Sequence, residues 1–367
     1  MFEQNTACVK INLNNIKHNY MVAKNCCVNS HVLAVVKANA YGHGANDVAL
    51  ALQNQCDCRH FAVARLDEAI ALRKGGIDGM ILVLSYTNPE QFKYLIEYNI
   101  SQTVLNLQYL KELAQFAQQN GKINIHLKID SGMNRIGFCW QNADELAVAS
   151  KILCEAPNLL RQGIFTHFAQ SEDTNCPFTK AQIENFLYAK KLLKNNGTDF
   201  EITHSCNSAA IFNFSEAHFD MVRFGIGLYG YGTGNNLLPA MEFSAPVISL
   251  HPVKKGMSIS YNQTFVAQND MLVATICAGY ADGVTRLLSN NGNVYINSCT
   301  CPIVGRVCMD MTMVDVTELC NNIKVGDRAE FFGNHISCQS VANRCNTIPY
   351  EIMCNIGNRV PRVYTDF

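Results

Sequence analysis

Between residue 32 and about residue 232, short apolar runs alternate with longer stretches whose apolar residues recur every three or four positions. The runs fall at 32–36, 61–64, 80–84, 103–105, 123–129, 163–166, 201–204 and 221–226. Runs this apolar on both faces predict strands of a parallel sheet covered by helices. Leu110, Leu113, Ala114 and Ala117 mark one helical face between them, and Ile183, Phe186 and Leu187 mark another. Gly75-Gly76, Gly121 and Gly197 stand where helices should stop. Eight strands alternating with helices over this length predict a (β/α)8 TIM-like barrel. An open doubly wound sheet has the same alternation. The polar residues decide between them: Lys37, Ser85, Asn106, Asp130, His167, Asn207 and Arg223 lie at or just beyond the C-terminal ends of their runs. Barrel enzymes place their chemistry there.

After Met241 the texture changes. Runs at 243–250, 272–278, 294–297, 304–307 and 311–316 are β-like, and turn signals such as Lys255-Gly256 and Asn290-Asn291-Gly292-Asn293 separate them. Long helical patterns are absent. The chain is therefore read as an α/β barrel domain over 1–234, a glycine-rich connection from Gly230 to Gly234, and a C-terminal mainly-β domain over 235–367.

Composition narrows the classes. With 367 residues, 48% hydrophobic and 16% charged, the chain is an ordinary globular protein with sizeable cores. A formal net charge of -1 gives no electrostatic reason to expect nucleic acid or an anionic membrane as partner. No window approaches the ~20 apolar residues of a membrane span, and Met1-Phe2-Glu3-Gln4-Asn5-Thr6 does not read as a signal peptide. The odd count of 17 cysteines suits reduced thiols and a cytoplasmic location. Cys56-Asp57-Cys58 and Cys299-Thr300-Cys301 have one-residue spacers, shorter than structural zinc sites use, so no metal is expected.

Lys37 ends the apolar run 32–36. An unpaired ammonium is costly to bury, so this lysine either reaches solvent or is used. Desolvated lysines are nucleophilic and commonly form Schiff bases with carbonyls. On its own a snorkelling side chain is the commoner reading. The glycines and Tyr41 that follow suit a loop folded over an anionic cofactor.

Seven segments together resemble one family. They are Ala-Val-Val-Lys-Ala-Asn-Ala-Tyr-Gly-His-Gly at 34–44, Asp-Ser-Gly-Met-Asn-Arg-Ile-Gly at 130–137 and Thr-His-Phe-Ala at 166–169. The others are Asn-Ser-Ala-Ala at 207–210, Val-Arg-Phe-Gly-Ile at 222–226, Gly-Tyr-Ala-Asp-Gly at 279–283 and Gly-Arg-Val-Cys-Met-Asp at 305–310. In this order and across both domains they resemble the alanine racemases, homodimeric pyridoxal 5'-phosphate enzymes with a barrel and a C-terminal β domain.

The resemblance implies a role for each matching residue. Lys37 would hold the cofactor and exchange the Cα proton on one face of the substrate. Tyr261, from the β domain of the second subunit, would serve the other face, because one base alone tends to return the proton to the same side. Lys37 then serves D-alanine and Tyr261 L-alanine. A phenol has an unperturbed pKa near ~10, so Tyr261 needs help near neutrality, and His167 matches its hydrogen-bond partner. Arg223 matches the partner of the pyridine nitrogen. It has no acceptor and leaves that nitrogen unprotonated, which makes the ring a weaker electron sink. Tyr41, Asn207, Ser208, the backbone of Gly225 and Ile226, and Tyr350 match the phosphate site. Arg135 and the backbone N–H of Met309 match the substrate carboxylate contacts. Lys128 stands where some members carry a carbamylated lysine. Asn134 and Cys206 depart from the usual residues without removing a functional group.

The implied activity is interconversion of L- and D-alanine, supplying D-alanine for peptidoglycan. Racemisation of serine or of a broader set is the nearest alternative, although Tyr350 and Met309 beside the substrate methyl suit a small pocket. A pyridoxal-phosphate decarboxylase should lack Tyr261 and use an acid at the Arg223 position. A binding protein of the single-barrel type should lack the β domain.

Overall fold

The computed structural model describes residues 6–365. Eight parallel strands form the first architecture: His31–Val35, His60–Val63, Met80–Val83, Ser101–Val104, Ile123–Asp130, Leu159–Phe165, Ile202–His204 and Met221–Phe224. The sheet closes, because Met221–Phe224 pairs with His31–Val35 and each strand of the ring has two neighbours. Closure separates a barrel from an open sheet, so the predicted (β/α)8 fold is what the chain adopts. The helices cover it as the periodicity requires. Leu107–Asn120 buries Tyr109, Leu110, Leu113 and Ala117, and Asn106 caps it by accepting from the Tyr109 N–H at 2.9 Å. Each fully buried leucine there contributes about 1.5–3 kcal/mol.

The barrel interior is more polar than the branched aliphatic filling usual for the fold. His126, Lys128, Gln102, Thr103, His204 and Arg223 are all buried.

The second architecture is mainly β. The long strand Met241–Val253 pairs antiparallel with Cys8–Asn12, Met271–Ile276 and Arg328–Phe332, and a register shift between Val247 and Ser249 marks an irregularity in it. Thr312–Asp315 extends the sheet beside Met271–Ile276. Asn293–Ile296 and Cys299–Pro302 form a hairpin whose turn residues Asn297 and Ser298 have φ of 43° and 70°, the left-handed values a tight hairpin needs.

Three features differ from the sequence reading. Compact packing groups Asn15–Ala40 with Ala45–Leu238, and places Tyr41–Gly44 and the strand Cys8–Asn12 with the segment from Pro239 onward, not in a 1–234 domain. The N-terminal strand belongs there because its ladder runs antiparallel to Met241–Val253 and parallel to Arg362–Thr365. Second, 304–307 is not a strand: Gly305 has φ of 78°, and a Cβ there would lie 2.7 Å from the Ile259 carbonyl. Third, the strand Arg328–Phe332 and the short helices Cys338–Arg344 and Pro349–Cys354 were not anticipated. No helix among the described residues is long and apolar enough to cross a membrane.

Candidate active site

Lys37 follows the first barrel strand directly. The strand end is fixed by the Tyr229 hydroxyl, which donates to the Val35 carbonyl at 3.0 Å, and by the Val36 N–H, which donates to Ala62. The chain then does something L-residues rarely do. Ala38, Asn39, Ala40 and Tyr41 all have φ between 52° and 54°, a left-handed turn that costs about 1–2 kcal/mol per residue. Side chains hold it. The Ala38 N–H donates to Glu68 Oε1 at 2.6 Å, and the Ala45 N–H donates to Asn39 Oδ1 at 2.9 Å. Glu68 Oε2 also accepts from Ala64 and Arg65 N–H at the start of the helix Leu66–Lys74. One carboxylate therefore ties the Lys37 loop to the next strand end, at a helix N-terminus that favours its charge.

Across the barrel mouth, Arg223 is only 4% exposed. Its Nη1 donates to His204 Nδ1 at 2.9 Å, and the two hydrogens of its Nη2 are shared among the Thr166 carbonyl at 2.8 Å, the Ser205 carbonyl at 2.7 Å and the more distant His167 Nδ1 at 3.1 Å. Its hydrogen-bond partners among the described residues are neutral, and none of them accepts from Nε–H. Burial lowers this guanidinium to about 10. Lys128 is buried too. Its Nζ donates to the Ile129 carbonyl at 2.8 Å and lies 5.4 Å from the centre of the Phe165 ring. Burial, and then repulsion from Arg223, pushes its ammonium down to about 7. His167 and His204 are held well below the usual imidazole range, first by burial and then by Arg223. A buried guanidinium whose hydrogen-bond partners are neutral, beside a buried lysine amine and neutral imidazoles, makes a mouth suited to an anionic group and to an acceptor for Arg223 Nε–H. An anionic cofactor with a ring nitrogen, such as pyridoxal 5'-phosphate, fits this donor set.

The flanking loops are tied together. Asp130 Oδ1 accepts from Gly132 and Asn134 N–H, shaping the turn that presents the exposed Arg135. Fully buried Gln182, on the helix Pro177–Asn195, accepts from the Ala169 N–H at 2.9 Å and donates to Ser131 Oγ and the His167 carbonyl at 3.3 Å. Asn207 is used structurally: its Oδ1 caps the helix Ser208–Asn213 at Ala210 N–H and accepts from Ser171 Oγ. Ser208 Oγ accepts from Gly225 N–H at 2.9 Å and Gly227 N–H at 3.3 Å, bringing Ser208, Gly225 and Ile226 to one spot.

The β unit carries the remaining candidates. Buried Tyr41 packs against Tyr350, with ring centres 5.7 Å apart, and burial raises its phenol so that it stays a donor. Tyr261 is 67% exposed and Met309 53%, and both line a cavity of about 530 Å3 with Ser260, Cys308, Asp310, Met311 and Met313. The Met309 segment is built against 279–283. Tyr280 and Ala281 N–H donate to the Cys308 and Met309 carbonyls at 3.0 Å, and a Cβ at Gly279 would come within 2.3 Å of the Cys308 carbonyl oxygen. Arg359 clamps both sides by pairing with Asp282 at 2.8 Å and Asp310 at 2.7 Å. The barrel thus gathers Lys128, His167 and Arg223 at one place and Ser208, Gly225 and Ile226 at another. The β unit gathers Tyr261 with Met309, and Tyr41 with Tyr350.

Sequence reasoning missed Glu68, His204, Gln182 and Arg359. His204 ends a predicted strand and was visible as such. Glu68 stands three residues after Arg65 at a helix start, the spacing of a capping carboxylate.

A closed parallel barrel with cations and imidazoles at its strand ends, followed by a β unit, defines a barrel enzyme with an appended domain. Residues 11–233 match the alanine racemase N-terminal domain, and residues 240–364 match the alanine racemase C-terminal domain. The chain is 41% identical to alanine racemase 2 of Caldanaerobacter subterraneus subsp. tengcongensis, over 97% of this chain and 94% of that protein. It is 40% identical to the alanine racemase of Carboxydothermus hydrogenoformans, over 97% and 98%. The solved alanine racemase of Clostridium difficile 630 superposes with a TM-score of 0.92 at 34% identity, covering 98% of this chain and 96% of that one. The chain belongs to the alanine racemase family. The match over the second domain removes the single-barrel reading.

Proposed function

We propose that this protein interconverts L- and D-alanine with pyridoxal 5'-phosphate as cofactor, acts as a cytoplasmic homodimer, and supplies D-alanine for peptidoglycan. The observation that carries this reading is Arg223, a buried guanidinium with neutral partners and an Nε–H left for a ring nitrogen. A decarboxylase would place an acid there. When bound, the cofactor withdraws electrons from the substrate Cα and makes its hydrogen acidic.

The chain's own residues then divide the work. Lys37 holds the cofactor and moves the Cα proton on one face. Tyr261 of the partner subunit moves it on the other, with His167 as its hydrogen-bond partner. Because Arg223 donates to His167 Nδ1, the His167 proton lies on Nε2 and is available to a phenol oxygen. Tyr41, Asn207, Ser208, Gly225, Ile226 and Tyr350 hold the phosphate, and Arg135 together with the backbone N–H of Met309 of the partner subunit takes the substrate carboxylate. Exposed Tyr261, Met309 and Met311 around one cavity suit burial by a second copy. Lys128, whose ammonium is lowered to about 7 and is therefore partly neutral at that pH, adds CO2 through its amine nitrogen and releases a proton to solvent, so that the carbamate anion steadies Arg135.

The test is exchange of the Cα hydrogen of L-alanine in D2O with chiral analysis of the product. Formation of D-alanine carrying deuterium at Cα, largely lost in Tyr261→Phe, is the expected result. Exchange without inversion, or release of CO2, would overturn the racemase reading.

A further inference from the structure

We propose that His126 is a positioning residue for the cofactor-facing arginine: a one-way hydrogen-bond chain from Arg223 through His204 and His126, ending on the Gln162 amide oxygen, locks both imidazoles in the Nε2–H form and so fixes the guanidinium. This rests on the reading that Arg223 faces the cofactor.

The direction of the chain follows from donor chemistry. A guanidinium has five N–H donors and no acceptor. His204 Nδ1, 2.9 Å from Arg223 Nη1, must therefore accept, and the single proton of the neutral ring sits on Nε2. That nitrogen is 2.9 Å from His126 Nδ1, which must accept in turn. The His126 proton then lies on Nε2 and is donated to Gln162 Oε1 at 3.2 Å. The same oxygen accepts from Ser101 Oγ at 2.5 Å, so the end of the chain is satisfied. Burial keeps both rings neutral, with His126 pushed down to about 3.

The barrel is shaped around this chain. A Cβ at Gly163 would lie 2.2 Å from His126 Nδ1, so only glycine leaves room for the ring. Phe165 stacks on His204 at 4.6 Å and 8°, and His126 meets His204 edge-on at 5.1 Å. A buried polar chain is tolerated only when every member is paired, and the groups along this path are. It cannot serve as a proton path into Arg223, which has no lone pair to receive one. Its effect is orientation. Without an acceptor at position 126, the His204 Nε2–H is orphaned, and the remedy is a switch to Nδ1–H. That proton would oppose the Arg223 donor and release the guanidinium.

The experiment is long-range 1H–15N correlation NMR of histidine-labelled, cofactor-loaded protein, with steady-state kinetics on the same samples. Both His126 and His204 should show the Nε2–H pattern in the wild type. His126→Asn, which keeps an acceptor in place of Nδ1, should preserve it at His204. His126→Leu should move His204 to Nδ1–H and lower kcat on the order of tenfold, with KM little changed, the size of one lost charge-assisted hydrogen bond. Nδ1–H on His204 in the wild type would overturn the proposal even if the leucine variant does not fold. So would a folded leucine variant that keeps Nε2–H and full kcat. A chain without racemase activity would still show or refute the tautomers, which separates this failure from that of the functional reading.

Discussion

Replacing Gly163 by alanine puts one methyl group where the His126 ring lies. The new Cβ would sit 2.2 Å from Nδ1, 2.4 Å from Cε1 and 2.9 Å from Cγ. The ring must move or the strand must shift, and overpacking of this kind costs about 1–3 kcal/mol. A displaced ring also leaves the His204 N–H or Gln162 without its partner, at about 1–3 kcal/mol for each buried group. Lower entropy of the unfolded chain returns about 0.4–1 kcal/mol. The net loss is therefore about 1–5 kcal/mol. Urea unfolding followed by fluorescence is well suited to this measurement, because the chain's single tryptophan is Trp140, within the barrel unit. His126→Ala alone should also destabilise. In Gly163→Ala/His126→Ala the methyl occupies space the ring has vacated, so the two costs should fall short of their sum by about 1–3 kcal/mol. Strict additivity, or a wild-type midpoint for Gly163→Ala, would refute the packing argument.

Two further variants probe the site from other sides. In CO2-free buffer the Lys128 amine is neutral in the fold above about 7, while the unfolded chain keeps its proton to about 10.5. The unfolded state binds more protons across that window, so stability should rise with pH through it. Lys128→Met should remove that share of the rise, and an unchanged pH slope would count against the burial assigned to Lys128. Glu68→Ala deprives three backbone N–H groups of their acceptor and should cost about 1–2 kcal/mol. Amide exchange at Ala38 should quicken at the same time and stay quickened in Glu68→Gln, whose carboxamide has one acceptor oxygen where Glu68 uses two; an unaltered exchange rate at Ala38 would show that Glu68 does not hold the turn.

The eight barrel strands were legible because each is an apolar run flanked by helical periodicity, as with 80–84 before Ser85 and the strand Met80–Val83. Lys37 and His167 drew attention because a charged or titratable residue just beyond such a run conflicts with its surroundings, and Arg223 because it interrupts the run 221–226; their roles come from the resemblance. His126 was not, since one histidine inside 123–129 reads as a break in an apolar strand until His204 is seen opposite it. The left-handed turn after Lys37 was also hidden: Ala38 and Ala40 favour helix of the ordinary hand, and only the bonds to Glu68 and Asn39 explain the conformation. The strand Cys8–Asn12 looked like the barrel's neighbour because it precedes it, whereas its partners come after residue 240.

That last arrangement has a consequence for synthesis. Cys8–Asn12 is made before the barrel strands, but its two neighbours, Met241–Val253 and Arg362–Thr365, are made after them. At about 5–20 residues per second, the strand waits on the order of ten to fifty seconds for its first partner. Throughout that interval the barrel strands can pair with one another while both edges of Cys8–Asn12 stay open. An unpaired edge of this kind is a template for joining other chains. Slowing translation after the barrel is complete should lengthen that exposure and lower the yield of folded chain.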